Sequence, residues 1–165
     1  MIFGIIAVAV LALIVAVVLS VSIIKKSQGT QKMKEISRAI QHGAMTFLNK
    51  EYKVLVIFVI IVTLILRFLI SSQIAVSFVV GALFSAIAGN IGMRIATKAN
   101  ARTTWQAKKS INNGLIVAFH SGAVMGLCVV GLGLLGVAVL YLVFGDPNII
   151  YGFGFGASSI ALFAR

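Results

Sequence analysis

Residues 110–145 read SINNGLIVAFHSGAVMGLCVVGLGLLGVAVLYLVFG, without one Asp, Glu, Lys or Arg. About 18 or more largely apolar residues in a row are enough to cross a bilayer, and this stretch exceeds that. Working outward, Met1–Ile24, Phe68–Met93 and Pro147–Ala164 are equally free of charge. The 165 residues are 61% hydrophobic and 10% charged, whereas soluble domains run near 45–50% apolar and about 25% charged. A water-soluble core is therefore excluded. So is a disulfide scaffold, because Cys128 is alone. Long apolar blocks and a single proline also argue against a membrane β-barrel, which needs short segments of alternating polarity. The chain reads as an all-α membrane protein, a polytopic helical bundle.

The net charge of +11 invites a nucleic-acid partner, but its distribution points to a membrane. Lys25, Lys26, Lys32, Lys34, Arg38, Lys50 and Lys53 lie between the first two spans, and Arg94, Lys98, Arg102, Lys108 and Lys109 lie around the next such connection. The alternate connections, Ser71-Ser72-Gln73 with nearby Arg67 and Gly145-Asp146-Pro147-Asn148, are nearly bare. The positive-inside rule puts both basic connections in the cytoplasm and the N-terminus outside. That excess accounts for the basicity, and no nucleic acid is expected. The N-terminal block lacks a basic leader and exceeds the usual apolar core of a signal peptide, so it reads as a retained span.

The spans are expected at about residues 2–24, 54–70, 74–93, 114–144 and 149–165. Thr30 is a candidate helix N-cap. Met33, Ile36, Ile40, Ala44 and Phe47 follow at spacings of three and four, one face of a helix over about 31–53. This basic amphipathic segment either lies at the cytoplasmic interface or packs on other cytoplasmic parts of the protein. Arg67 sits near enough to the end of its span to snorkel. The 114–144 block is about 46 Å long as a helix, which exceeds a hydrocarbon core of about 30 Å; projection into the cytoplasm is expected. Asp146-Pro147-Asn148 is a turn signal.

Span five still runs at Arg165, about 24 Å into its helix. No stop signal or polar tail follows, which suggests a truncated chain. Small residues recur at helical spacing: Gly81, Ser85 and Gly89; Gly122 and Gly126; Gly152 and Gly156. Such pairs let membrane helices approach closely. Gly152-Phe153-Gly154-Phe155-Gly156 superficially matches a dinucleotide fingerprint, but no strand precedes it, so packing is the better explanation.

No catalytic set can be assembled. Glu35, Glu51 and Asp146 are the only acids and are scattered, and His42 and His120 fall on different elements; no metal site is expected. Ser158 and Arg165, seven apart, share one face of span five. An arginine there either snorkels to cytoplasmic headgroups or faces the bundle interior and pairs with acids, none of which this chain supplies.

Five stretches together resemble the membrane-integral, ion-translocating inorganic pyrophosphatases. Residues 35–53, EISRAIQHGAMTFLNKEYK, look like the family's I-x-x-G-A-x-A-F-L-x-R-E-Y segment. Residues 81–93, GALFSAIAGNIGM, are similar to its third-span signature. Ala99–Thr103 and Ala118–Gly126 follow in the family's order. Residues 152–165, GFGFGASSIALFAR, are the most specific match. The resemblance covers about residues 30–165. Lys50, Asn90 and Gln106 depart from the family's usual Arg, Tyr and Ala.

The resemblance implies a pump of about sixteen spans, of which this chain supplies an N-terminal five in a single transmembrane domain. Such a pump is normally a homodimer in a lipid bilayer, here a cell membrane of prokaryotic type. It hydrolyses cytoplasmic pyrophosphate by metal-assisted phosphoryl transfer to water and moves H⁺ or Na⁺ out of the cytoplasm. Mg²⁺, and K⁺ as an optional second ion, would be held by residues beyond this chain. The family's first acidic catalytic segment follows the arginine matching Arg165, so no catalytic residue is present and the chain alone should be inactive. In the family that arginine belongs to the ion gate, and the serine matching Ser158 lies near the gate carboxylate. Rival readings are a complete small transporter or channel subunit, and a non-catalytic scaffold whose basic helix binds anionic lipid.

Overall fold

The computed structural model describes residues 2–163. Among the described residues the chain forms five helices, α1 (Ile2–Ile24), α2 (Gln31–Leu69), α3 (Ser72–Ala107), α4 (Ile111–Phe144) and α5 (Ile149–Phe163), and no strand. The first four are long and apolar enough to cross a membrane. Short connections make the long helices run up and down beside one another. α3 is the hub, packed against α4, α5 and α2, while α1 docks chiefly on α4.

Local chemistry fixes the ends. Thr30, Ser71 and Ser110 are extended residues whose hydroxyls accept from the first-turn amides of Met33, of Gln73 and Ile74, and of Asn113. Each satisfies donors that a helix start leaves orphaned. α4 ends on Gly145 at φ 67°, whose N–H donates to the Tyr141 carbonyl, a left-handed closure that glycine makes without steric penalty. The Asp146 carboxylate then accepts from the Asn148 N–H at 2.9 Å, as the turn chemistry of Asp-Pro-Asn anticipates.

The helices outrun the apolar stretches that signal them. α2 has 39 residues, about 58 Å at 1.5 Å per residue. The amphipathic 31–53 segment and the following span are thus one helix, and without a proline to kink it the basic half continues the direction of the span. α3 runs on to Ala107, well past Met93, so most of the second basic connection is helical.

The rotation of α2 differs from the expected stripe. Ile36, Ile40 and Phe47 are exposed, whereas Ser37, Leu48 and Leu55 are buried. The Tyr52 hydroxyl donates to the Ala86 carbonyl of α3 at 3.0 Å, and Leu55 packs on Ala82. These contacts set the angle at which α2 meets α3. Ile36 and Ile40 stay exposed at the rim of a cleft shared with Asn100, Ala101 and Thr104 of α3, and Phe47 faces outward.

Small side chains form the core between α1, α3 and α4, where Ala16, Ala88, Ala99 and Cys128 pack with Ile23, Val117 and Val124. Cys128 is buried there as a small packing residue. Gly131 of α4 lies against Ala9 and Leu13 of α1. Close backbone approach is the usual basis of helix association where water supplies no hydrophobic drive.

Candidate functional site

α5 carries the most specific sequence match, and its glycines decide how it sits. A Cβ added to Gly81 would collide with the Phe153 carbonyl oxygen, and one on Gly156 with that of Phe78. One on Gly152 would lie 2.6 Å from the Ile74 carbonyl oxygen. The backbones of α3 and α5 therefore touch along three glycines, which no larger residue permits. Aromatic pairs flank the seam: Phe78 with Phe155 at 5.3 Å between ring centroids, and Phe84 with Phe153 edge-on at 6.3 Å. The Ser85 hydroxyl crosses it and donates to the Ala157 carbonyl at 3.0 Å.

The expected small-residue pairs therefore divide. Gly81, Ser85, Gly152 and Gly156 mate across one seam. Gly89, Gly122 and Gly126 have open space where a side chain would be, so no described residue packs onto them.

The seam sets the faces of α5. Gly152, Phe153, Gly156, Ser159 and Ile160 turn inward, while Gly154, Ser158 and Ala161 are exposed. Ser159 spends its hydroxyl on its own helix, donating to the Phe155 carbonyl at 2.8 Å. Ser158, the candidate gate serine, thus looks away from α1–α4. Arg165, the candidate gate arginine, lies outside the described residues.

Three polar features escaped the sequence reading. Arg102, one of twelve cations assigned to the cytoplasmic connections, is 6% exposed. Its Nε donates to the Lys26 carbonyl (2.9 Å), one Nη to that of Lys98 (2.6 Å) and the other to that of Ile24 (3.1 Å). The Gln28 side-chain oxygen, turned to suit its donors, accepts from both Nη atoms. The guanidinium fork thereby caps the carbonyl end of α1, where the helix dipole favours a cation. One turn on, Trp105 covers Gly29, which sits at φ +83°, and Lys108 lies 5.8 Å from the centroid of that ring. Trp105 is an internal contact that closes the α1–α2 connection onto α3.

The second feature is on α2. Glu51 has one carboxylate oxygen buried without a hydrogen-bond partner. Nearby, Leu48, Tyr52, Ser85, Gly89, Met125 and Ile160 line a cavity of about 180 Å³ where α2, α3, α4 and α5 converge. The third is His120, whose Nδ1 is buried and unpartnered on α4; His42 is exposed on α2. Only His120 carried a signal in sequence, as a titratable side chain inside a charge-free apolar run, whereas Glu51 sits between Lys50 and Lys53.

Among the described residues no three His, Cys, Asp or Glu come together in a way that could hold a metal ion. The donors present do not fit a Mg²⁺ site, which asks for several oxygens in near-octahedral order.

A family model described as "Inorganic H+ pyrophosphatase" matches residues 10–165. The chain is 44% identical over 146 residues to a K(+)-insensitive pyrophosphate-energized proton pump of Methanosarcina mazei, covering 87% of this chain and 22% of that protein. A Clostridium tetani protein, named as a candidate K(+)-stimulated pyrophosphate-energized sodium pump, is 49% identical over 157 residues; 94% of this chain and 23% of that protein are covered. A K(+)-insensitive pyrophosphate-energized proton pump of Moorella thermoacetica is 44% identical over 164 residues, with coverage of 94% and 24%. The chain thus spans about a quarter of the length of the curated relatives it matches. With four long apolar helices and pumps as relatives, it is an integral, multi-pass membrane protein.

Proposed function

Because the chain belongs to the inorganic H⁺ pyrophosphatase family, we propose that its five helices form the N-terminal portion of a pump driven by pyrophosphate. Hydrolysis of the phosphoanhydride by water, giving two phosphates, would drive H⁺ or Na⁺ out of the cytoplasm. Mg²⁺ would be bound by other parts of the pump, with K⁺ as an optional activator, and the working unit would be a homodimer in the bilayer. The observation that carries this reading is the family match over residues 10–165.

Within that pump these helices build wall and framework. α3 and α4 form the central pair, and α5, held on α3 by the glycine seam, presents Ser158 on the face turned away from them. A path for a small cation needs such a face, because polar groups at membrane depth belong against protein or water rather than lipid. Arg165, seven residues beyond Ser158, would stand on the same face by helical spacing and join the gate by pairing with carboxylates of neighbouring helices.

The test is direct. Inverted vesicles containing the full-length pump should accumulate H⁺ or Na⁺ when pyrophosphate and Mg²⁺ are added outside, and Arg165→Ala should abolish the gradient. The 165-residue chain by itself should cleave no pyrophosphate. Pyrophosphate turnover by that chain alone, or full pumping by Arg165→Ala, would refute the corresponding assignment.

A further inference from the structure

We propose that Ser85 of α3 is a positioning residue that sets the height and rotation of α5, and with them the placement of the Ser158 face in the ion path. This rests on the pump reading above.

Three observations converge on it. The seam between α3 and α5 is made of backbone against backbone at Gly81, Gly152 and Gly156. Those backbone faces hold the two helices close, and the ring pairs Phe78–Phe155 and Phe84–Phe153 flank them, but none of these contacts is a directional bond that fixes how far one helix slides along the other. Ser85 makes a side-chain hydrogen bond across that seam, to the carbonyl of Ala157, the residue before Ser158. In helical geometry the same carbonyl also serves the amide four residues on, so Ser85 engages the turn of α5 that leads towards Arg165.

The third observation is room to move. Ser85 and Ile160 both line the cavity of about 180 Å³ beside the seam. A shift of α5 therefore has space on that side, and the hydroxyl adds a directional bond against it to the packing of Ile160 on Leu55 and Ala82. Sequence reading placed Ser85 among packing residues; its partner, 72 residues away, is visible only in the fold.

The experiment uses the full-length pump in proteoliposomes, comparing wild type, Ser85→Ala and Ser85→Thr for pyrophosphate hydrolysis and for ions moved per pyrophosphate. In parallel, a Phe78→Cys/Phe155→Cys pair in a Cys128→Ala background reports the register by disulfide yield, since the backbones of α3 and α5 touch at Phe78 and Gly156, the residue after Phe155. Ser85→Ala is expected to keep hydrolysis within about twofold, to lower the ion ratio at least threefold and to lower the disulfide yield at least threefold. Ser85→Thr, which keeps the hydroxyl and has the cavity for its methyl, restores both. An unchanged ion ratio or an unchanged disulfide yield in Ser85→Ala overturns the proposal, and so does a proportional fall of hydrolysis and transport. A wild-type protein that cleaves no pyrophosphate sinks the pump reading instead, and the disulfide yields still decide whether Ser85 sets the register.

Discussion

Replacing Arg102 by lysine isolates the fork geometry from the charge. Lysine keeps the cation but presents one ammonium in place of three nitrogens spread over three carbonyls. It can reach one of those acceptors well. Two charge-assisted hydrogen bonds are lost, each worth about 1.5–3 kcal/mol net, with part recovered as water reaches the freed carbonyls. We expect about 3 kcal/mol, expressed locally as undocking of the α1–α2 connection from α3.

Two readouts follow that undocking. Trp105 is the only tryptophan, and it packs on Gly29 within this connection, so its emission should shift to the red in Arg102→Lys. Trypsin should also cut after Lys25 and Lys26 faster. When opening is rapid compared with cleavage, the rate follows the open population, and at tenfold per 1.4 kcal/mol about 3 kcal/mol corresponds to roughly a hundredfold. Unchanged emission together with cleavage within threefold of wild type would show that packing of α1 on α4, through Ala9 and Gly131, holds the connection without the arginine.

Further expectations concern the seam and the buried acid. Gly156→Ala places a methyl against the Phe78 carbonyl; overpacking costs about 1–3 kcal/mol even where side chains can yield, and here backbone must move, so the unfolding temperature of the detergent-solubilised chain should drop clearly. Gly122→Ala and Gly126→Ala meet open space and gain helix propensity of about 0.5–1 kcal/mol each, so the same measurement should show equal or higher stability. Glu51→Gln removes a charge whose one oxygen is buried without a partner. Chemical denaturation should find that variant at least as stable as wild type, and a marked loss would reveal a cationic partner for Glu51.

Much of the fold was legible because its signals are local. The charge-free blocks mark α1, α3, α4 and α5, Thr30 caps α2, and Asp146-Pro147-Asn148 turns the chain between α4 and α5. The helix ends beyond the bilayer were less legible. Past Met93, basic residues interrupt the apolar pattern, while the alanines, arginines and lysine of the run to Ala107 still support helix. The amphipathic stripe on α2 was a true periodicity, but periodicity states which residues share a face and not which neighbour that face meets. Tyr52 and Leu55 answered that question against the stripe.

Composition and charge spacing alone determined that this chain lives in a membrane and that its connections alternate between basic and bare, because those properties add up residue by residue along the chain. Only the tertiary structure decided which glycines touch, which of the many cations is buried, and which serine binds another helix. Those outcomes depend on carbonyl acceptors brought in from 72 to 78 residues away. A backbone acceptor has no side-chain identity, so nothing in the sequence around Ser85 or Arg102 could announce it.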